Sequence, residues 1–204
     1  TTWANIVAKS TQMALYNKKN NVENRSESFC HVDIIVHPSL SSTSSSTEQW
    51  KSLFVAYSSY MGEPLSKTAL QNNLYDSTKD VVLCYTLDAD EATAALSYLD
   101  RLVDQEIPYN YYDLPLCVLP ASVGKLFPDI DYHTPTRVFC SQLVVLTLKR
   151  CLSVTEKNEA IHSLIDKTNS RIVSPNSLFQ KLKPFCQRLH VGPFIMGRLS
   201  VITY

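Results

Sequence analysis

Short runs rich in apolar and β-branched residues, which are typical of β-strands, occur four times along the chain. They occupy residues 31–37, 53–57, 81–86 and 194–204, and the last run is long enough for one or two strands. The first run places its polar residues His31, Asp33 and His37 at the same parity, so we expect them on one face of the strand. The Ser-rich residues 41–47 predict the connection between the first two strands.

Four other segments have the helical period, namely residues 3–16, 88–103, 139–152 and 174–182. Asp88 and Glu91 have the spacing of a capping box, and Ser174 followed by Pro175 is typical of a helix start. Segment 139–152 is apolar on nearly all sides, which predicts a helix buried at the centre of the molecule. Residues 109–135, which contain several tyrosines and prolines, predict a long irregular segment.

This succession of helices and strands predicts an α+β fold. We expect a single domain of residues 1–204, in which residues 1–27 form an N-terminal helix and loop. Because the chain begins with Thr1 and not with Met, we expect it to be processed or excised from a longer product.

Composition narrows the classes of function. The 204 residues carry 19 basic and 19 acidic side chains, and this balance argues against nucleic acid as a partner. Only four glycines occur, and no glycine-rich phosphate-binding motif can be found. No apolar run approaches the roughly 18 residues of a membrane span, and no secretory signal is seen. The six cysteines form no C-x-x-C pair, so we expect reduced thiols and a reducing compartment such as the cytoplasm.

Cys140 differs from the other cysteines because it lies at the start of the predicted buried helix. The positive end of a helix dipole favours a thiolate, which is the nucleophilic form of a cysteine. The free N–H groups of a first helical turn can also hold an oxyanion. A thiolate needs a base, and His31 at the start of a strand is the candidate base. These two residues are therefore candidates for a Cys–His catalytic pair, the alternative being a structural cysteine and a surface or core histidine.

Two segments resemble the circularly permuted papain-like, NlpC-type cysteine hydrolases, a broad group that includes poxviral members and the lecithin retinol acyltransferases. Residues 28–36, SFCHVDIIV, resemble the His-bearing strand of that family. Residues 138–144, VFCSQLV, resemble the start of its Cys-bearing helix. Further elements follow in the family's order at residues 81–86, 90–103, 107–110 and 174–178, although Glu106 stands where the family usually has glycine.

The resemblance implies a permuted papain-like fold, in which an antiparallel sheet packs on a central buried helix. It also implies a thiol hydrolase or acyltransferase, in which Cys140 attacks an amide, ester or thioester carbonyl and His31 acts as the base. The expected substrate is an acyl compound, a peptide or a lipid, and no cofactor is expected.

The chain departs from the family at the third catalytic group. Many members have Glu, Asp or His on the strand after the His strand, but residues 53–59 contain none of these. Tyr57 and Ser58 are the residues of this strand that would orient His31, and both are weaker partners than a carboxylate. Gln142 replaces an acidic residue of the family, and we interpret it as a residue of the helix surface.

These departures leave an alternative function, in which a catalytically inactive domain serves as a structural or binding component of a virus particle or another protein assembly. A metal site formed by His31, Asp33, His37 and Cys140 is a further alternative. Because alternate residues spread along a strand, His31 and His37 are too far apart for one ion, and we expect no metal. The tyrosines at 109, 111 and 112 are interpreted either as the lining of a substrate groove or as loop packing.

Overall fold

The computed structural model describes eight segments of the chain. They are residues 29–36, 55–69, 81–85, 87–119, 121–124, 126–153, 159–191 and 197–203. The helix predicted at 3–16 and the Ser-rich connection at 41–47 lie outside the described residues.

The described strands form a six-stranded sheet in the order β3-β2-β1-β6-β4-β5. Their bounds are β1 Phe29–Val36, β2 Val55–Ser58, β3 Ser66–Ala69, β4 Val81–Tyr85, β5 Gln187–Val191 and β6 Gly197–Thr203. The strands predicted around 31–37, 53–57, 81–86 and 194–204 correspond to β1, β2, β4 and β6. The sequence did not predict β3 or β5, because Ser66–Ala69 and Gln187–Val191 show neither a continuous apolar run nor a clear alternation.

The sheet is mixed, which corrects the prediction of an antiparallel sheet. Strand β1 pairs antiparallel with β2, as predicted, and the β2–β3 and β4–β5 pairs are antiparallel as well. The C-terminal strand β6, however, lies between β1 and β4 and runs parallel to both. Parallel neighbours need long crossover connections, and the helices that lie between these strands in the chain provide the necessary length.

Five α-helices accompany the sheet in the described residues, which confirms the α+β class. They are α1 Ala89–Asp104, α2 Ala121–Gly124, α3 Cys140–Leu152, α4 Glu159–Asp166 and α5 Pro175–Leu182, with two short 3₁₀ helices at Leu114–Val118 and Ser170–Ile172. The predicted irregular segment 109–135 contains only α2 and the first 3₁₀ helix as regular structure.

The ends of α1 follow from local sequence. The Asp88 side chain accepts hydrogen bonds from the N–H groups of Asp90 and Glu91, and the Glu91 carboxylate accepts one from Asp88 N–H, which confirms the predicted capping box. At the other end Glu106 has a φ of +48°. Its N–H donates to Val103 and the following N–H, of Ile107, donates to Leu102. This is a Schellman termination with a non-glycine residue in the left-handed position.

Helix α3 lies at the centre of the molecule, as its apolar sequence predicted. Every residue of α3 except Arg150 is buried. The helix packs against α1 and β1, and its leucines and valines join the aliphatic side chains of those elements in one hydrophobic core. Because α3 is packed on nearly all sides, the position of its first residue, Cys140, is fixed.

Candidate active site

The structure brings Cys140 and His31 together. Cys140 begins α3, His31 lies near the start of β1, and the thiol lies close enough to the imidazole to influence its pKa. The pairing between β1 and β6 shifts register between Phe29 and His31, so the strand is irregular where it presents the histidine. Irregularities of this kind commonly redirect a side chain next to a functional site.

A carboxylate occupies the other side of the imidazole. The Nε2 atom of His31 lies 2.7 Å from Oδ1 of Asp33, which is the next residue on the same face of β1. The Asp33 side chain is 4% exposed and that of His31 is 13% exposed. Because Nε2 is engaged by Asp33, Nδ1 is the ring nitrogen left for Cys140. Thiol, imidazole and carboxylate thus form one chain of contacts, which is the arrangement of a catalytic triad.

The neighbours of His31 favour its charged form. Burial alone lowers the pKa of His31, because a buried ring is harder to charge. The negative charge of Cys140 as a thiolate, hydrogen bonds to Asp33 and Cys140, and the charge of Asp33 together outweigh burial, and raise the pKa from 6.5 to about 10. Near neutral pH the ring is therefore held as an imidazolium that can pair with a thiolate and donate a proton.

An aromatic ring holds the plane of the imidazole. The ring of Tyr60 stacks on His31 with 4.5 Å between the centroids and 13° between the planes. Tyr60 follows β2 closely, and nearby Ser59 donates a hydrogen bond of 3.0 Å to the carbonyl of Val138, just before the cysteine helix. The end of β2 is therefore tied to both halves of the candidate site.

The two residues predicted to orient His31 have other surroundings. The hydroxyl of Tyr57 donates a 2.6 Å hydrogen bond to Asp100, which also pairs with Lys67 at 2.8 Å. The hydroxyl of Ser58 is buried and has no hydrogen-bond partner among the described residues. The prediction that Tyr57 or Ser58 orients His31 is corrected by this geometry, since Asp33 occupies that place. One signal in the sequence could have identified Asp33: His31 and Asp33 have the same parity, which places both on one face of one strand.

The first turn of α3 offers hydrogen-bond donors beside the thiol. Phe139 is the N-cap, and its N–H donates to Oε1 of Gln142 at 3.1 Å. The N–H groups of Cys140 and Ser141 have no acceptor among the hydrogen bonds of the described residues. Such free N–H groups at a helix N-terminus can stabilise an oxyanion.

Gln142 is the centre of a buried polar network, so its interpretation as a surface residue was wrong. Its side chain is fully buried and accepts from the Asn110 amide at 3.0 Å. It donates to Asp113 at 3.1 Å, and Asn110 donates to the same Asp113 oxygen at 2.8 Å. Arg171 lies 3.6 Å from that oxygen and supplies a positive charge. The network fixes the loop after α1 against the turn that carries Cys140.

Tyr109 and Cys117 lie in the electrostatic surroundings of Cys140. Burial raises the pKa of Tyr109, and the charges of Cys140, Cys117 and Tyr111 raise it further. The pKa of Cys117 is likewise raised by burial, by Cys140 and by Asp113. Tyr109 is buried, whereas Tyr112 is 73% exposed and lies under the Arg137 guanidinium. Of the predicted tyrosine cluster, Tyr109 thus packs in the core close to the cysteine.

The described residues contain no group of three or more potential metal ligands. His37, one member of the metal site weighed from the sequence, lies outside the described residues. Among the described residues, the cysteines at positions 117, 140 and 151 are free thiols. In the described parts of the chain, the helices are all too short or too polar to cross a bilayer.

Comparisons with protein-family models, curated proteins and solved structures give no match to this chain.

Proposed function

We propose that this protein is a thiol hydrolase or acyltransferase with a permuted papain-like fold. The observation that carries the proposal is the chain of contacts from Cys140 through His31 to Asp33 at the N-terminus of a buried helix. In the proposed reaction Cys140 is the nucleophile, His31 is the general acid and base, and Asp33 orients and stabilises the imidazolium.

The proposed reaction has two steps. The Cys140 thiolate attacks the carbonyl carbon of an amide, ester or thioester, and the N–H groups of Cys140 and Ser141 hold the resulting oxyanion. The His31 imidazolium donates its proton to the leaving group, and the C–N, C–O or C–S bond breaks to leave a thioester on Cys140. Neutral His31 then takes a proton from water or another nucleophile, which attacks the thioester and releases the thiolate.

The assignment of the nucleophile can be tested with an activated ester. We expect p-nitrophenyl acetate to acylate the wild-type protein on Cys140, as mapped by mass spectrometry. The Cys140→Ala variant should lose this acylation and the accompanying release of p-nitrophenol.

A cysteine of the same helix provides the control. Cys151 is fully buried, and burial, with the nearby carboxylates Glu91 and Asp88, raises its pKa to about 12. Cys151→Ala should therefore react like the wild type. Acylation that persists undiminished in Cys140→Ala would refute the assignment.

The burial of the thiol favours a second candidate, a catalytically inactive domain that acts as a structural or binding component of a protein assembly. The Cys140 side chain is only 3% exposed. If the wild-type protein is folded but neither the ester nor iodoacetamide modifies Cys140, the inactive binding domain becomes the better description.

A further inference from the structure

A second site lies along one face of α1, away from the candidate active site. An open cavity of about 410 Å³ is lined on α1 by residues spaced three or four apart, among them Thr93, Ser97 and Arg101. Arg150 of α3 also lines it. Arg150 is ten residues from Cys140, which is about 15 Å along a helix, so the cavity is separate from the cysteine–histidine pair. Its volume lies in the range of roughly 300–1,000 Å³ that small-molecule sites occupy.

Two guanidinium groups give this cavity positive charge. Arg101 lies over the Tyr98 ring, 5.2 Å from its centroid, and donates to the carbonyl of His133 at 2.9 Å, so its position is fixed. Arg150 has no ion-pair partner in the described part of the chain. One carboxylate, that of Asp90, also lines the cavity, but it is eleven residues from Arg101, about 16 Å along α1.

The Tyr98 hydroxyl is the second observation that points to a ligand. Tyr98 lines the same cavity and is 3% exposed, yet its hydroxyl has no hydrogen-bond partner in the described residues. A buried hydroxyl that is left unpaired destabilises the folded protein. Burial raises the pKa of Tyr98, while the charge of Arg101, whose guanidinium lies over the Tyr98 ring, and the charge of Arg150 lower it and that of Asp131 raises it. Asp131 itself accepts from His133 N–H and from the Thr134 hydroxyl.

We propose that this cavity binds a phosphate monoester. Guanidinium groups donate paired hydrogen bonds that match the oxygens of a phosphate, and the Tyr98 hydroxyl would donate to the same group. The cavity is much larger than a phosphate ion, so the organic part of the ligand extends along α1 past Ser97 and Thr93. Asp90 at the far end can accept hydrogen bonds from hydroxyl groups of the ligand.

Isothermal titration calorimetry with the full chain tests this proposal, with glucose 6-phosphate and inorganic phosphate as probes at constant chloride. We expect glucose 6-phosphate to bind with one-to-one stoichiometry and more tightly than inorganic phosphate. Arg150→Gln should weaken binding roughly tenfold to hundredfold, because it removes a charge-assisted contact. Lys183→Gln, which removes an equal charge from an exposed site beside Phe179, should leave the affinity unchanged.

Tyr98→Phe keeps the test independent of folding defects. Because the hydroxyl is unpaired, we expect this variant to melt at the same temperature as the wild type or slightly higher without ligand. It should bind glucose 6-phosphate about three- to tenfold more weakly. Cys140→Ala should bind like the wild type, because the two sites are separate. Absence of saturable binding, tighter binding of inorganic phosphate, or an equal loss in Lys183→Gln would each overturn the proposal.

Discussion

His31 has two neighbours that act on its protonation in different ways. Cys140 is charged only as a thiolate, whereas Asp33 is a carboxylate held 2.7 Å from Nε2 on the same strand. Asp33 therefore keeps the ring oriented and favours the imidazolium throughout the reaction. Cys140, in contrast, loses its negative charge when it forms the thioester with the substrate.

Replacing Asp33 by Asn should lower the pKa of His31 from its value of about 10. We expect a fall of roughly one to three pH units, because an opposite charge within hydrogen-bonding distance has an effect of that size. Titration of the His31 ring by NMR measures this fall in pKa. Acylation of Cys140 by p-nitrophenyl acetate should become slower in the same variant.

The matched controls are Tyr57→Phe and Ser58→Ala, the two residues that the sequence alone proposed for this role. Tyr57 donates a hydrogen bond to Asp100, and the Ser58 hydroxyl has no partner in the part of the chain that the structure describes, so neither variant should change the pKa of His31. If the pKa of His31 falls as much in Tyr57→Phe as in Asp33→Asn, the orienting residue has been wrongly assigned.

At the scale of elements, the C-terminal end of α1 carries strain that a glycine would relieve. Glu106 has a φ of +48°, and a non-glycine residue in this left-handed region costs about 1–2 kcal/mol. Glycine at position 106 would remove this strain, but part of the gain in stability is offset because glycine is more flexible in the unfolded chain. We expect Glu106→Gly to raise the free energy of unfolding by about 0.5–1 kcal/mol, as measured by urea denaturation.

The neighbouring residue provides the comparison. Gln105 has a φ of −81°, which every residue tolerates, so Gln105→Gly should lower the stability by about 0.5–1 kcal/mol. The strain explanation fails if the two substitutions change the stability in the same direction.

The start of α3 depends on the neutral amide of Gln142. Its Nε2 donates to Asp113 at 3.1 Å, so Gln142→Glu would place two carboxylates side by side in a buried network. We expect this variant to lose about 2 kcal/mol of stability, because two buried carboxylates at this distance cannot both be ionised without a large penalty. Chemical denaturation measures the loss.

A second substitution separates charge from shape. Asp113→Asn in the Gln142→Glu background restores one carboxylate and one amide, and should recover most of the lost stability. A double variant that is no more stable than Gln142→Glu alone would show that the network does not depend on this pair of charges.

At the scale of the whole molecule, an ion pair fastens three distant parts of the chain. Lys149 near the end of α3 bonds to Asp129 of the preceding loop, and Asp129 also accepts from the N–H and hydroxyl of Ser170. The Lys149 side chain is 8% exposed, so water contributes little to the solvation of its ammonium group. Burial works against ionisation of Asp129, but the hydrogen bonds from Lys149 and Ser170 and the charge of Lys149 outweigh it and lower the pKa of Asp129 below 3.8.

We expect Asp129→Asn to lower the free energy of unfolding by about 2–3 kcal/mol at pH 7, because it leaves the Lys149 ammonium buried without a counter-charge. A lowered folded-state pKa stabilises the protein fully above the ordinary value of 3.8, and this contribution disappears as the pH falls through the folded-state value. The difference between variant and wild type should therefore shrink in acid.

Urea denaturation at several pH values checks both the size and the pH dependence. The control is Asp104→Asn, because Asp104 is exposed at the end of α1. It should change the free energy of unfolding by no more than about 0.5 kcal/mol. A deficit in Asp129→Asn that does not change between neutral and acidic pH would contradict the electrostatic explanation.

The sequence by itself determined the elements whose signals are local. The capping residues of α1 and α5, the β-branched run of β1 and the apolar sequence of α3 are each recognised within a few residues, because hydrogen bonds and side-chain periodicity act at short range. The same local signals placed Cys140 at a helix start and His31 on a strand. Short polar strands such as β3 gave no such signal.

Only the tertiary structure decided which side chains meet. Cys140 met His31, Gln142 became buried, and β6 paired between β1 and β4, because each outcome depends on contacts between residues far apart in the chain. Long-range packing fixes the distances between helices and strands. The sequence pattern within one segment contains no information about those distances. The chemistry proposed for this protein therefore depends on local sequence for its residues and on the fold for their arrangement.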